Sequence, residues 1–219
     1  MKRFLIIILI CLCLTAHAEE IIFGSYWQDS IVEKTSITWL VLDKQDDKVL
    51  LLSKYCLDAH RFGSMLYSCL WHNSEIRAFL NTEFYNWAFT DEEKVHIIKT
   101  TINTNVNSFY TNKWRLKTTE DYVFLLSMQE AEQYLTAADR IAYATYVAKT
   151  YTSDDEWAGV ATTKKGTVHW WLRTVGVTDY YATFVNPQGK ICYDGELVYA
   201  PHYGIRPAIW VDSQVLGRD

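Results

Sequence analysis

The sequence predicts an α+β fold in which small antiparallel sheets are joined by two to four helices. Strand-like runs lie at both ends of the chain, and helix-capping patterns gather in its middle. The alternating strand–helix–strand rhythm of a parallel sheet is missing. Neither end is complete as a sheet by itself, so the two ends are expected to share one.

Met1-Lys2-Arg3 opens the chain with positive charge, Phe4–Leu14 is unbroken apolar, and Ala16-His17-Ala18 places small residues where a signal peptidase cuts. The run is shorter than the roughly 20 apolar residues of a membrane-spanning helix. Residues 1–18 are therefore read as a signal peptide cleaved after Ala18. Residues 19–219 are read as one globular domain, exported to the periplasm or secreted, with no membrane anchor after cleavage.

Ile21–Phe23 reads as a short strand. Ile37–Leu42 and Val49–Ser53 flank the polar turn Lys44–Lys48 and read as a hairpin in the same sheet. Ser74 is placed to cap a helix through Phe89, with Ile76, Phe79, Leu80, Phe84 and Trp87 on one apolar face. Thr90 with Glu93, and Ser127 with Glu130, have the spacing of capping boxes and open two further helices. Tyr122–Leu126 reads as a strand before the last of these, and the asparagine-rich stretch Asn103–Thr119 as a surface loop. Val168–Leu172, Ala182–Asn186, Lys190–Tyr193 and Ile205–Val211 read as short strands separated by turns such as Asn186-Pro187-Gln188-Gly189.

Together several segments carry a resemblance: Phe23-Gly24-Ser25-Tyr26 with Gln28, Trp39–Leu42, Val49–Lys54, Trp71, Ser74-x-Ile76-Arg77, Phe79-Leu80-Asn81, Val123–Ser127 with Glu130-Ala131, Trp170-Trp171-Leu172-Arg173, and Gly204-Ile205-Arg206-Pro207-Ala208. The chain resembles the bacterial domain of unknown function numbered 6273. It departs from the usual pattern at Trp27, where proline is expected, and around Tyr143–Trp157. The resemblance implies a scaffold distantly similar to C-type lectins, in the branch of the formylglycine-generating enzymes and the variable proteins of diversity-generating retroelements. On that scaffold Trp170, Trp171, Arg173, Gly204, Arg206 and Pro207 belong to structural core strands. It brings no established activity. A formylglycine-generating enzyme needs a late pair of cysteines, and here the C-terminal third has Cys192 alone.

The net charge of −5 becomes −7 once Lys2 and Arg3 are removed, which leaves no electrostatic footprint for nucleic acid. Cys56, Cys69 and Cys192 form an odd set. A Cys56–Cys69 bridge would close a short loop, while three buried free thiols are the simpler state. The histidines lack metal-ligand spacing. Asp154-Asp155-Glu156 reads as a solvated acidic loop, and Asn186-Pro187-Gln188 as a turn in place of a calcium ligand set. No metal and no cofactor is expected.

What remains is aromatic. Tyr180, Tyr181, Tyr193, Tyr199, His202 and Tyr203 fall among glycine, aspartate and asparagine in the C-terminal turns. Tyrosine gives broad contact at low entropic cost, so these six residues are the candidate ligand-binding set, without catalytic residues, the alternative being solvent-facing strand tyrosines that hold no ligand. The expected function is a non-catalytic module in the cell envelope that binds a protein or glycan. The alternatives are an envelope glycan-acting enzyme with a dispersed carboxylate site and a purely structural envelope protein.

Overall fold

The computed structural model describes residues 19–64, 67–104, 106–110, 117–150 and 159–217. The predicted signal peptide and the Asp154–Glu156 loop lie outside them. In chain order the elements begin with β1 (Glu20–Trp27), β2 (Lys34–Gln45), β3 (Lys48–Ser53) and β4 (Asp58–Ala59), followed by α1 (Glu75–Phe79), a π-helical turn (Leu80–Phe84), α2 (Tyr85–Ala88) and α3 (Asp91–Lys94). Next come β5 (Thr100–Ile102), β6 (Thr119–Asp121), α4 (Met128–Tyr134), β7 (Ala142–Tyr143) and α5 (Tyr146–Thr150). The chain ends with β8 (Thr167–Val168), β9 (Trp170–Val175), β10 (Tyr181–Val185), β11 (Ile191–Leu197), β12 (Gly204–Ile205) and β13 (Ala208–Asp212).

The two ends do share a sheet. Its order is β1-β2-β3-β13, antiparallel throughout, with Trp210 opposite Leu50 and Ile209 opposite Leu51. A second sheet has the order β11-β10-β9-β12-β4, with β12 parallel to β9 and the other pairs antiparallel. β5-β6 and β7-β8 form small ribbons. The fold is thus α+β with small, mostly antiparallel sheets, as expected. The chain crosses from the second sheet to the first at Arg206-Pro207. The single strand expected over Ile205–Val211 is therefore two short ones, because Pro207 has no N–H to continue a ladder.

All three predicted caps form. The Ser74 hydroxyl accepts from the Arg77 N–H, and Thr90/Glu93 and Ser127/Glu130 make reciprocal capping boxes. The helix opened by Ser74 departs from expectation inside, where the π-helical turn changes its phase. Leu80 and Phe84 remain fully buried, but Trp87, expected on the same face, is 39 % exposed. Gly24 sits at a bulge in β1 with φ +68°, and a Cβ there would lie 2.7 Å from the Ala88 carbonyl oxygen, so only glycine lets α2 pack this closely.

The strand expected over Tyr122–Leu126 is a buried, extended connection whose one bridge joins Phe124 to Ala208. Side chains satisfy much of its backbone. Asn81 Oδ1 accepts from the Tyr122 and Val123 N–H groups, Asn81 Nδ2 donates to the Val123 carbonyl, and Arg173 donates to the Leu125 carbonyl. A buried apolar run looks the same in sequence whether strands or side chains complete it. The surface loop expected over Asn103–Thr119 is corrected in part: Asn107 is buried, and its amide donates to the Val175 and Tyr193 carbonyls at 3.1 and 2.8 Å.

Trp39, Trp71, Trp170 and Trp171 are fully buried in the core. Tyr26 of β1 donates its hydroxyl to Asp58 of β4 at 2.6 Å, which ties the two large sheets together. Burial and then the Asp58 charge push the Tyr26 hydroxyl far above its usual range, so it stays a donor. No helix among the described residues is long and apolar enough to cross a membrane.

Candidate functional site

The second sheet is built on β9, Trp170-Trp171-Leu172-Arg173-Thr174-Val175, which is buried along its whole length. Trp170 lies under the Arg206 guanidinium, 5.2 Å from the ring centroid. Arg206 is itself buried and donates to the Ser53 and Asp139 carbonyls at 2.8 and 3.1 Å. Burial lowers its pKa to about 10 against the opposing pull of Cys56 and Asp139, so it keeps its charge at neutral pH. Arg173 grips the Glu130 carboxylate with both terminal nitrogens, NH2 reaching Oε1 at 2.7 Å and NH1 reaching Oε2. Burial raises the Glu130 pKa, but Arg173 and the Ser127 donors outweigh it and hold the carboxyl below its ordinary value. Pro207 accepts from the Ser53 N–H at 2.9 Å. Gly204 runs so close to Cys56 that a Cβ would lie 2.8 Å from its Sγ. These six residues sit beneath the surface and fix the strands that carry the tyrosines.

The six expected ligand-binding residues separate into two groups. Tyr203 is half-buried, stacked on Trp171 at 4.3 Å and 23°, with Phe184 and His169 rings 5.0 and 5.2 Å away. Its hydroxyl donates to Glu196 at 3.4 Å, and burial followed by the Glu196 charge raises its pKa. Tyr193 stacks on Phe109 at 4.1 Å and donates to Glu132 at 2.8 Å. Tyr181 is half-buried opposite Leu197. Tyr180, Tyr199 and His202, by contrast, are exposed.

The loop after β4 brings a further aromatic residue to this group. The Gly63 N–H donates to the Val198 carbonyl at 2.9 Å, the Cys69 N–H to the Asp179 carbonyl at 2.7 Å, and the Val198 N–H to the Tyr180 carbonyl at 2.9 Å. Tyr67, 68 % exposed, lies two residues before Cys69, while Tyr180 and Tyr199 directly follow Asp179 and Val198, so these bonds bring the three backbone segments together at one rim. A cleft of about 110 Å³ beside it is lined by Ser64, Tyr67, Ser68, Cys69, Asn73 and Glu75. Sequence reasoning missed Tyr67, although its Gly63-Ser64…Ser68 setting has the same turn-rich composition as the chosen tyrosines.

His169 reads from the sequence as a surface or satisfied core histidine without metal-ligand spacing, and the structure differs. It stands between β8 and β9, and its Nδ1 is enclosed with no hydrogen-bond partner among the described residues. Burial lowers its pKa against the pull of Glu196, so the ring is neutral near pH 7. The three cysteines are free thiols. Cys56 and Cys69 are buried, and burial pushes each up to about 12, which keeps them protonated and inert. Cys192 is half-exposed, unlike the buried state expected of it, and burial raises its pKa too.

Among the described residues no three His, Cys, Asp or Glu side chains gather as a metal site. Asn186 Oδ1 accepts from the Gln188 and Lys190 N–H groups, each at 3.0 Å, so this side chain closes the β10–β11 turn. The rim offers aromatic faces, hydroxyls and backbone groups on the turns that flank β10 and β11 and on the loop after β4.

No curated protein and no solved structure matches the chain. One family model does, "Domain of unknown function (DUF6273)", over residues 46–213, from the β2–β3 turn to just beyond β13. That span covers more than three quarters of the chain, though Phe23–Gln28 and Trp39–Leu42 precede it. The chain belongs to the DUF6273 family.

Proposed function

We propose that this protein is an exported, non-catalytic binding module of the bacterial cell envelope, on a scaffold distantly like that of C-type lectins. The observation that supports it is the rim of Tyr67, Tyr180 and Tyr199, three exposed tyrosines from separate segments held together by backbone hydrogen bonds. Exposed aromatics on backbone segments tied by hydrogen bonds lose less freedom on binding. The ligand is a protein or glycan of the envelope, and export follows from the signal-peptide reading of residues 1–18.

The test is a binding screen of the mature chain, Glu19–Asp219, against soluble polysaccharide and protein fractions of a bacterial envelope. Saturable binding that weakens at least tenfold in the Tyr180→Ala/Tyr199→Ala double variant is expected. Unchanged binding in that variant would move the site elsewhere, and N-terminal sequencing that begins before Glu19 would remove the proposed cleavage.

The enclosed Nδ1 of His169 beside Tyr203 and Glu196 favours one other reading, an enzyme acting on envelope glycans. Release of reducing ends from envelope polysaccharide, abolished in His169→Gln, would establish it in place of the binding module.

A further inference from the structure

The helical run Glu75–Ala88 leaves a second cleft, of about 550 Å³, lined chiefly by His60, Glu75, Phe79, Thr82, Glu83 and Trp87. That volume lies within the roughly 300–1,000 Å³ of small-ligand sites. Glu75 also lines the smaller cleft beside Tyr67, so the two hollows meet along one surface.

Three features distinguish this cleft from an ordinary furrow. The first is its wall, which contains the π-helical turn Leu80–Phe84, and such turns mark functional sites more often than chance. The turn buries Leu80 and Phe84 while leaving Thr82 and Glu83 exposed. The second is Trp87, whose indole is well exposed yet firmly oriented. It meets Trp27 at 5.6 Å and 75° and Phe79 at 6.2 Å and 71°, both edge-on contacts. Lys34 braces the same corner, its Nζ 4.4 Å from the Trp27 centroid and donating to the Trp87 carbonyl at 2.6 Å.

The third feature is the distribution of charge. The His60 ring stacks on Phe79 at 4.9 Å, making an aromatic floor. Glu75 is already neutralised by Arg61, whose Nε donates to it at 2.6 Å, and Glu83 accepts from the Thr82 hydroxyl. The cleft is thus not a bare acidic trap for a cation. It sets hydrogen-bond acceptors beside a fixed aromatic face. A pyranose ring matches that arrangement, with C–H groups on one face and hydroxyl donors round its edge.

We propose that this cleft binds a neutral oligosaccharide, with one sugar ring stacked on Trp87 and its hydroxyls donating to Glu83 and Glu75. The inference rests on the binding-module reading and gives it a ligand class and a subsite distinct from Tyr180 and Tyr199.

The experiment is calorimetric titration of the mature chain with chitotetraose, cellotetraose and maltotetraose. At least one is expected to bind saturably, with affinity falling tenfold or more in Trp87→Ala, less in Trp87→Phe, and severalfold in Glu83→Gln. Glu83 is exposed, so that variant tests the cleft without disturbing the fold. Binding lost only in Tyr180→Ala/Tyr199→Ala would overturn the Trp87 subsite and leave the binding module standing. Binding of none of the three sugars, or of a lysine-rich peptide in their place, would overturn the ligand class, while the envelope screen still decides the broader reading.

Discussion

In the sheet β1-β2-β3-β13 the innermost side chains are mostly apolar, with Ile37, Trp39, Leu51, Leu52, Ile209 and Val211 completely buried. The sheet β11-β10-β9-β12-β4 also buries apolar side chains such as Trp170, Trp171, Leu172 and Val185, but among them it buries the polar Arg173, Thr174, Thr183 and Asp58. Each of these polar groups has a directional partner. Thr183 donates to the Thr174 carbonyl, the Thr174 hydroxyl accepts from the Met128 N–H, Asp58 accepts from Tyr26, and Arg173 holds Glu130. Apolar burial is non-directional and tolerates small shifts. Buried polar groups are costly unless each partner is in place, so they fix geometry more narrowly. Tyr180 and Tyr199 stand in the turns just before β10 and just after β11 of this second sheet.

Breaking one buried group in each sheet is the strongest way to sharpen this contrast. Arg173→Ala would leave the Glu130 carboxylate without its main counter-charge, at an expected cost of about 3 kcal/mol at pH 7. Leu51→Ala in the first sheet would leave a cavity and cost about 2–5 kcal/mol. Denaturant unfolding measures both, and an Arg173→Ala loss below about 1 kcal/mol would mean that the ion pair does not hold the second sheet.

The two losses should then respond differently to acid. The folded protein holds Glu130 below the ordinary carboxylate value of 4.5. The stability this contributes is complete above that value and is lost as pH falls through the lower, folded value. The stability gap between wild type and Glu130→Gln should therefore narrow below about pH 4.5, while the gap for Leu51→Ala stays constant. A Glu130→Gln gap that does not change with pH would remove the electrostatic half of the comparison. The smallest effect belongs to the surface, where Tyr180→Ala and Tyr199→Ala should each change stability by no more than about 0.5 kcal/mol. A larger loss in thermal unfolding would make those tyrosines part of the packing.

Which parts were legible in the sequence follows from the range of the interactions. The caps at Ser74, Thr90 and Ser127 join residues three apart, and the β2–β3 hairpin closes over a short polar turn, so local chemistry reveals them. Tyr122–Leu126 was misread because its backbone is completed by Asn81 and Arg173, about 40 and 50 residues away. The spacing of Trp87 places it on the apolar face of a regular helix, and the π-helical turn rotates it partly out. The rim is a tertiary product. The segment of Tyr67 meets those of Tyr180 and Tyr199 through the bonds from Gly63 to Val198 and from Cys69 to Asp179, links of more than 100 residues that no local pattern encodes.

The central claim is that this surface recognises an envelope ligand, and one comparison tests it most directly. Mature wild-type protein and the Tyr180→Ala/Tyr199→Ala variant, matched in thermal stability, would be titrated side by side with the soluble envelope polysaccharide and protein fractions. The account predicts saturable binding by the wild type and at least tenfold weaker binding by the variant. Equal binding by the two proteins, or none by either, would contradict it.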